Sequence, residues 1–116
     1  MLRIQLKSKL HRAAVTDSNV EYEGSISIPP DLMRAVDIWL GEKVLVTSIT
    51  NGARLETYVI EGKEGSGEII VNGAAAHLIG TGHRVTIMAF GLDDKAIVPK
   101  RLLLSEKNEP VTDQVL

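Results

Sequence analysis

Tyr22-Glu23-Gly24-Ser25, followed at once by Ile26-Ser27-Ile28, is the stretch on which the reading of this chain turns. An apolar-alternating segment, Leu10 to Val20, leads into it, and Ile26-Ser27-Ile28 has the alternation of a strand. A Gly-Ser bond is therefore expected in a turn between two strands. Held in that way, it is open to attack by its own serine hydroxyl, and glycine tolerates the distorted backbone such attack requires. Taken alone, the pair is an ordinary turn with a serine that starts a strand.

Working outward, Leu6 to Val15 reads as a strand, with Lys7, Lys9 and His11 on one face. The short strand after Ser25 stops at Pro29-Pro30, and proline is tolerated in the first turn of a helix. Leu32, Met33 and Val36, extended by Trp39-Leu40, give that helix an apolar face, and Gly41 is expected to end it. Val44 to Ile49 is β-branched and alternating. Asn51-Gly52 then predicts a type I′ hairpin, with Arg54 to Ile60 returning. Gly62 to Gly67 is a second turn and Glu68 to Val71 a further strand. Asn72-Gly73 leads into a short helix over Ala74 to Ile79, ended by Gly80 and Gly82. Arg84 to Phe90 is another strand. Many short strands joined by tight turns predict a mainly β, compact barrel.

The composition narrows the function. A chain of 116 residues with 44% hydrophobic residues suits one small domain, which oligomerisation would help to stabilise. A net charge of −2 and 3% aromatics argue against nucleic acid, which needs a basic field or a stacking platform. There is no cysteine, and histidines at 11, 77 and 83 lack zinc spacing, so no metal is expected. No apolar run approaches the roughly 20 residues of a membrane helix. The N-terminal Met1 to Lys7 is too short and charged for a signal peptide. A cytoplasmic protein with no membrane partner is the expectation.

Lys9-Leu10-His11-Arg12, Tyr22-Glu23-Gly24-Ser25, Asn51-Gly52-Ala53-Arg54, Thr57-Tyr58 and Asn72-Gly73-Ala74-Ala75-Ala76 form one set. On these motifs, and with their spacing intact to about Phe90, the chain resembles the pyruvoyl-dependent aspartate 1-decarboxylases. The resemblance implies a six-stranded double-psi β-barrel with short helices, assembled as a homotetramer. It implies one domain over 1–116, self-cleaved between 24 and 25, with about 91–116 as a partly loose C-terminal extension. The polar run from Ser105 to Asp113 is the part expected to be loose. The implied activity is decarboxylation of L-aspartate to β-alanine and carbon dioxide, feeding pantothenate and coenzyme A synthesis. Two other readings stand beside it. One is a pyruvoyl decarboxylase of another acidic amino acid, such as glutamate. The other is a non-catalytic barrel that binds DNA or protein. No residue pattern identifies a maturation factor.

By the same resemblance, Ser25 attacks the Gly24 carbonyl and moves the acyl group from nitrogen to oxygen. β-Elimination of the ester and hydrolysis of the dehydroalanine leave a pyruvoyl group at position 25. This built-in cofactor forms a Schiff base with a substrate amine and accepts electrons as carbon dioxide leaves, with no pyridoxal phosphate. Lys9 and His11 are either a solvated face or cations for the substrate carboxylates. Arg54 is a hairpin surface residue or a bidentate carboxylate anchor; we assign it the side-chain carboxylate, since clamping the departing one would stabilise the ground state. Tyr58 is a half-buried strand tyrosine or the donor that protonates the carbanion. Thr57 and Asn72 support cleavage near the glycine carbonyl, and Thr57 also belongs to the substrate site. Strand alternation points Thr57 and Tyr58 apart, so either the strand is irregular here or the site lies at a subunit boundary where both faces matter; we favour the boundary. Gly73, Ala74 and Ala75 allow close approach to a helix N-terminal backbone, and Tyr22 packs over the cleavage loop. Family members carry aspartate where this chain has His83 after Gly82, a position expected to support the turn.

Overall fold

Residues 1–111 are described by a computed structural model of the chain. Its strands are β1 (Arg3–Ala14), β2 (Asp17–Asn19), β3 (Ser25–Ile28), β4 (Lys43–Ser48), β5 (Arg54–Glu61), β6 (Ile70–Asn72), β7 (Arg84–Asp93) and β8 (Lys100–Leu103). One helix, α1 (Pro30–Val36), follows β3, and a 3₁₀ helix (Gly73–His77) follows β6.

The pairing order is β2-β6-β3-β5-β4-β7-β1-β8. β1 pairs antiparallel with β7, and β2 pairs parallel with β6. Between β1 and β2 the ladder is not lost: Val15 N donates to His83 O at 2.9 Å and Thr16 N to Ile69 O at 2.9 Å. β1 and β2 therefore act as one bent strand that changes partner, which closes the ring through β7, β4, β5, β3 and β6. Counted in that way the barrel has the six members expected. β8 is additional, lying parallel to β1 on its outer side. The fold is mainly β.

Alternation fills the interior. Val44 and Val46 of β4, Val59 of β5, and Val85, Ile87 and Ala89 of β7 are buried, together with Leu10 of β1. β3 is buried at every position, because β5 and β6 pair with its two edges and both faces are covered. Leu32, Met33 and Val36 bring α1 onto this core.

Three local expectations are corrected. α1 does not run to Gly41: it ends at Asp37, which takes the left-handed conformation at φ 59. Lys7 Nζ donates to the Asp37 carbonyl there, a cation at a helix C-terminus. Trp39 and Leu40 consequently lie off the helix face, 75% and 62% exposed. Asn51-Gly52 is not a type I′ turn, which needs positive φ at both residues; only Gly52 has it, at 79. The loop is longer and Ser48 organises it, its carbonyl accepting from Gly52 N at 2.9 Å and its hydroxyl from Asn51 N at 3.3 Å. Finally, the polar run from Ser105 is tied down as far as Val111. Asn108, 3% exposed, accepts from Ala14 N at 2.7 Å and donates to Ala14 O at 2.8 Å and Gly67 O at 2.7 Å. Thr112 and Asp113 lie outside the described residues.

His83 is built into the turn before β7. Besides receiving the Val15 N–H at its carbonyl, its Nδ1 lies 3.2 Å from the Ser48 hydroxyl. β1 is bulged at Arg12, a non-glycine at φ 60, and Arg84 holds the bulge by donating to the Arg12 carbonyl from Nε at 2.9 Å and Nη2 at 2.6 Å.

Candidate active site

Ser25 opens β3, and antiparallel register sets it opposite Asn72, the last residue of β6. The residue is 1% exposed. Its hydroxyl accepts from Asn72 Nδ2 at 3.1 Å and donates to the Glu23 carbonyl at 3.0 Å. The hydroxyl beside the Gly24–Ser25 bond thus has a fixed donor on one side and a backbone acceptor on the other.

The glycine that geometry demands is not Gly24. Its φ is not positive, and a Cβ added to it would meet nothing within 4 Å, so neither a left-handed backbone nor a close approach at its own Cβ calls for glycine there. Gly73 carries both constraints. It has φ 75, and a Cβ on it would stand 2.6 Å from Gly24 Cα, 2.8 Å from Gly24 N and 3.2 Å from Tyr22 O. The close approach at Asn72-Gly73 is thus made to the cleavage loop itself.

β5 supplies the opposite wall. Arg54 to Tyr58 pair with β4, whereas pairing with β3 covers only Val59 to Glu61. Continuing the parallel register of Ile26 with Val59 backward sets Ser25 against Tyr58 and Gly24 against Thr57. Pairing stops there, leaving the β5 edge open. The opening is a recess of about 470 Å³ lined by Gly24, Leu55, Glu56, Thr57, Tyr58, Asn72, Ala74, Ala75 and Leu78. Thr57 and Tyr58 both border it within one chain because they flank an open strand edge. Alternation about a face, the ground for placing the site at a subunit boundary, does not apply to an edge.

Tyr58 Oη donates to Glu23 Oε1 across a long 3.4 Å contact. Desolvation at the recess wall first, then the Glu23 charge and hydrogen bond, with Tyr22 adding, push the phenol above the ordinary tyrosine value. The phenol therefore keeps its proton at neutral pH, as a proton donor must. Tyr22 is 54% exposed and borders a second hollow, shared with Asn72, Ser27 and Ile60.

One chain thus gathers Gly24, Ser25, Thr57, Tyr58, Asn72, Gly73, Ala74 and Ala75. It does not bring Lys9, His11 or Arg54 to the recess wall, where no lysine or arginine is found among the described residues. Lys9 lies on β1 opposite Met88 and Arg101. Arg54 is exposed at the start of β5. His11 Nδ1 lies 3.2 Å from Thr86 Oγ1. Burial first, then the charges of Lys9, Arg12 and Arg84, hold its imidazole below the ordinary value. This disfavours the cation, and the ring nitrogen is placed to hydrogen-bond with Thr86. Leu55, Glu56 and Leu78 also line the recess and no motif announces them; Glu23 lies within the quoted tetrapeptide, but the sequence gives it no role. Among the described residues no group of three or more His, Asp or Glu could hold a metal ion, and no helix is long and apolar enough to cross a membrane.

The fold is that of the double-psi β-barrels. A computationally designed barrel of this kind, msDPBB_sym2, superposes with a TM-score of 0.51 at 14% identity, over 77% of this chain and 99% of its own. The aspartate decarboxylase family model matches residues 1–111. Aspartate 1-decarboxylase of Pseudothermotoga lettingae is 51% identical over 112 residues, covering 95% of this chain and 97% of its own. That of Kosmotoga olearia is 53% identical over 113 residues, covering 96% and 98%. That of Thermotoga petrophila is 50% identical over 114 residues, covering 98% and 100%. The chain belongs to the aspartate decarboxylase family.

Proposed function

We propose that this chain cleaves itself between Gly24 and Ser25 and then decarboxylates L-aspartate to β-alanine and carbon dioxide, in the cytoplasm, for pantothenate synthesis. The carrying observation is the buried Ser25 hydroxyl, fixed by Asn72 at 3.1 Å and set beside a recess walled by Thr57 and Tyr58. In the first step a bond forms from Ser25 Oγ to the Gly24 carbonyl carbon, the Gly24–Ser25 C–N bond breaks, and the hydroxyl proton passes to the released nitrogen. The Asn72 amide orients the hydroxyl, and the Gly73 backbone holds the Gly24 segment from behind.

A pyruvoyl group at position 25 fits this place. It would lie at the buried start of β3, opposite Asn72, in the place the Ser25 side chain occupies. When present, it supplies an electron-accepting carbonyl for loss of carbon dioxide. Thr57 and Asn72 border its position, Ala74 and Ala75 keep the approach open, and Tyr58 holds a proton at the recess wall. Leu55 and Leu78 reduce the water that reaches it.

An acidic substrate needs cations, and the single-chain recess has none. Lys9 and Arg54 of a second copy would complete it, in a homotetramer whose sites lie between subunits. Arg54 then binds the retained carboxylate in bidentate fashion. The acidic balance of the chain, −2, offers no basic field for nucleic acid.

Intact mass tests the first step. The wild type should give Met1–Gly24 and a piece beginning at position 25, and Ser25→Ala one full-length chain. Processed protein should form β-alanine from L-aspartate without added pyridoxal phosphate. A wild type that stays full length through prolonged warm incubation, or an activity that depends on pyridoxal phosphate, overturns the reading.

A further inference from the structure

The hydrogen bond between Tyr58 and Glu23 crosses the cleavage point. Tyr58 sits on β5 in the part of the chain after Ser25, and Glu23 sits one residue before Gly24. In the uncut chain, Glu23 is held from both sides. Its carbonyl accepts the Ser25 hydroxyl at 3.0 Å, and the Gly24 that follows is pressed against Gly73. Its side chain is therefore delivered to Tyr58 by a backbone that the intact Gly24–Ser25 bond keeps in place. Cleavage removes the first restraint with the serine hydroxyl and loosens the second, because Gly24 becomes a free carboxylate end no longer tied to β3.

We infer that Glu23 is a positioning residue for Tyr58 whose hold is released by cleavage, so that the phenol is bound to the chain before processing and free for substrate after it. The inference rests on the proposed processing at Ser25 and on Tyr58 as the proton donor. It assigns Glu23 a role in timing: a precursor whose Tyr58 is already engaged offers no proton to a ligand entering the recess. The contact is long and partly solvated, which suits a hold that must open.

The charged and titratable surroundings of Tyr58 are few. From the cleavage loop come Glu23 and Tyr22. From β4 comes Lys43, the register partner of Tyr58, which is itself ion-paired to Glu56 of β5. Arg54 lies on the same strand face four residues back, and His77 ends the 3₁₀ helix. Glu23 is the one carboxylate hydrogen-bonded to the phenol among the described residues.

The composition makes the test clean. Tyr22 and Tyr58 are the only tyrosines in the sequence, so in a Tyr22→Phe background tyrosinate absorbance reports Tyr58 alone. Titrations would be run with Glu23 and with Glu23→Gln, in the uncut Tyr22→Phe/Ser25→Ala chain and in the processed Tyr22→Phe protein, with circular dichroism following the fold through each. In the uncut chain, Glu23→Gln should move Tyr58 ionisation to lower pH, since it removes the negative charge beside the phenol while leaving a neutral amide acceptor. In the processed protein, the Glu-to-Gln difference should vanish. No difference in the uncut chain overturns the contact; an equal difference in both forms overturns the release. The first arm needs no cleavage and no activity. A chain that never processes therefore fails the proposed function by mass, while leaving the Glu23 contact separately measured.

Discussion

Gly73 and Gly24 are in backbone contact so close that a Cβ on Gly73 would lie 2.6 Å from the Gly24 Cα. The two belong to different elements, one opening the 3₁₀ helix after β6 and the other ending the turn before β3. The antiparallel pairing of Ser25 with Asn72 brings them together.

Gly73→Ala should therefore disturb cleavage before anything else. The methyl must displace the Gly24 backbone, and alanine at φ 75 adds strain of about 1–3 kcal/mol. A misplacement of that size at the scissile carbonyl should slow processing roughly tenfold or more, read as the fraction of uncut chain by intact mass over time. Gly24→Ala in the uncut Ser25→Ala background, where the new Cβ meets nothing within 4 Å, should unfold at nearly the parent denaturant midpoint. Equal loss of stability in both variants would contradict the asymmetry.

Asn108 should matter to stability far more than a polar tail residue ordinarily does. It sits at φ 58, and its amide serves three half-buried backbone groups on Ala14 and Gly67. Asn108→Ala leaves those groups unpaired, at about 1–3 kcal/mol each before relaxation, and places alanine in the left-handed region. A loss of about 3 kcal/mol or more in denaturant unfolding is expected. Asn108→Gly removes the strain but not the lost hydrogen bonds, so it should recover only part of the difference.

How much of this could be read from the sequence depended on whether a feature is local. Strand alternation, the prolines before α1 and the motif set around Gly24-Ser25 are local patterns, and the barrel and family followed from them. The errors came from long-range partners. Asn51-Gly52 carries the hairpin signal, but Ser48 and the Asn51 Nδ2 bond to Leu78 O at 2.9 Å impose a wider loop. Trp39 and Leu40 continue an apolar run, yet Lys7 from β1 meets the helix end at Asp37. The polar composition after Ser105 hides one asparagine that bridges two distant backbone segments. Thr57 and Tyr58 point apart by alternation, and only the register of β3 against β5 shows that an open edge brings both to one recess. Burial first, then the charges of Lys9, Arg12 and Arg84, hold the His11 imidazole below its ordinary value, and neither the burial nor Arg84 is visible in the local sequence.

The separation of Lys9 from the recess predicts complementation. Lys9→Ala should lower kcat/KM for aspartate by roughly tenfold or more, the range of a charge-assisted hydrogen bond of about 1.5–3 kcal/mol. Tyr58→Phe should be impaired in its own right. If the substrate site draws Lys9 from one copy and Tyr58 from another, co-expressing the two variants creates some sites with both residues intact, and activity should rise above that of either alone. Mixed tetramers, verified by mass, with no gain would place both residues in a single chain or remove Lys9 from the site.

Tyr58→Phe should separate maturation from turnover. The phenol is held protonated by desolvation at the recess wall and by Glu23, and its task in the proposed reaction is to give a proton after carbon dioxide has left. Phenylalanine keeps the ring on the recess wall and removes the hydroxyl, and with it the proton and the bond to Glu23. A general acid contributes typically 10²–10⁴-fold, so turnover should fall by roughly that much. In the proposed mechanism cleavage depends instead on Ser25, on the Asn72 amide and on Thr57 beside Gly24, so both fragments should still appear by mass. Thr57→Val, which keeps the shape and removes the hydroxyl, should show the reverse order and slow cleavage first. A Tyr58→Phe protein that is fully cleaved and turns over aspartate at a near-normal rate would mean that water or another group at the open β5 edge supplies the proton.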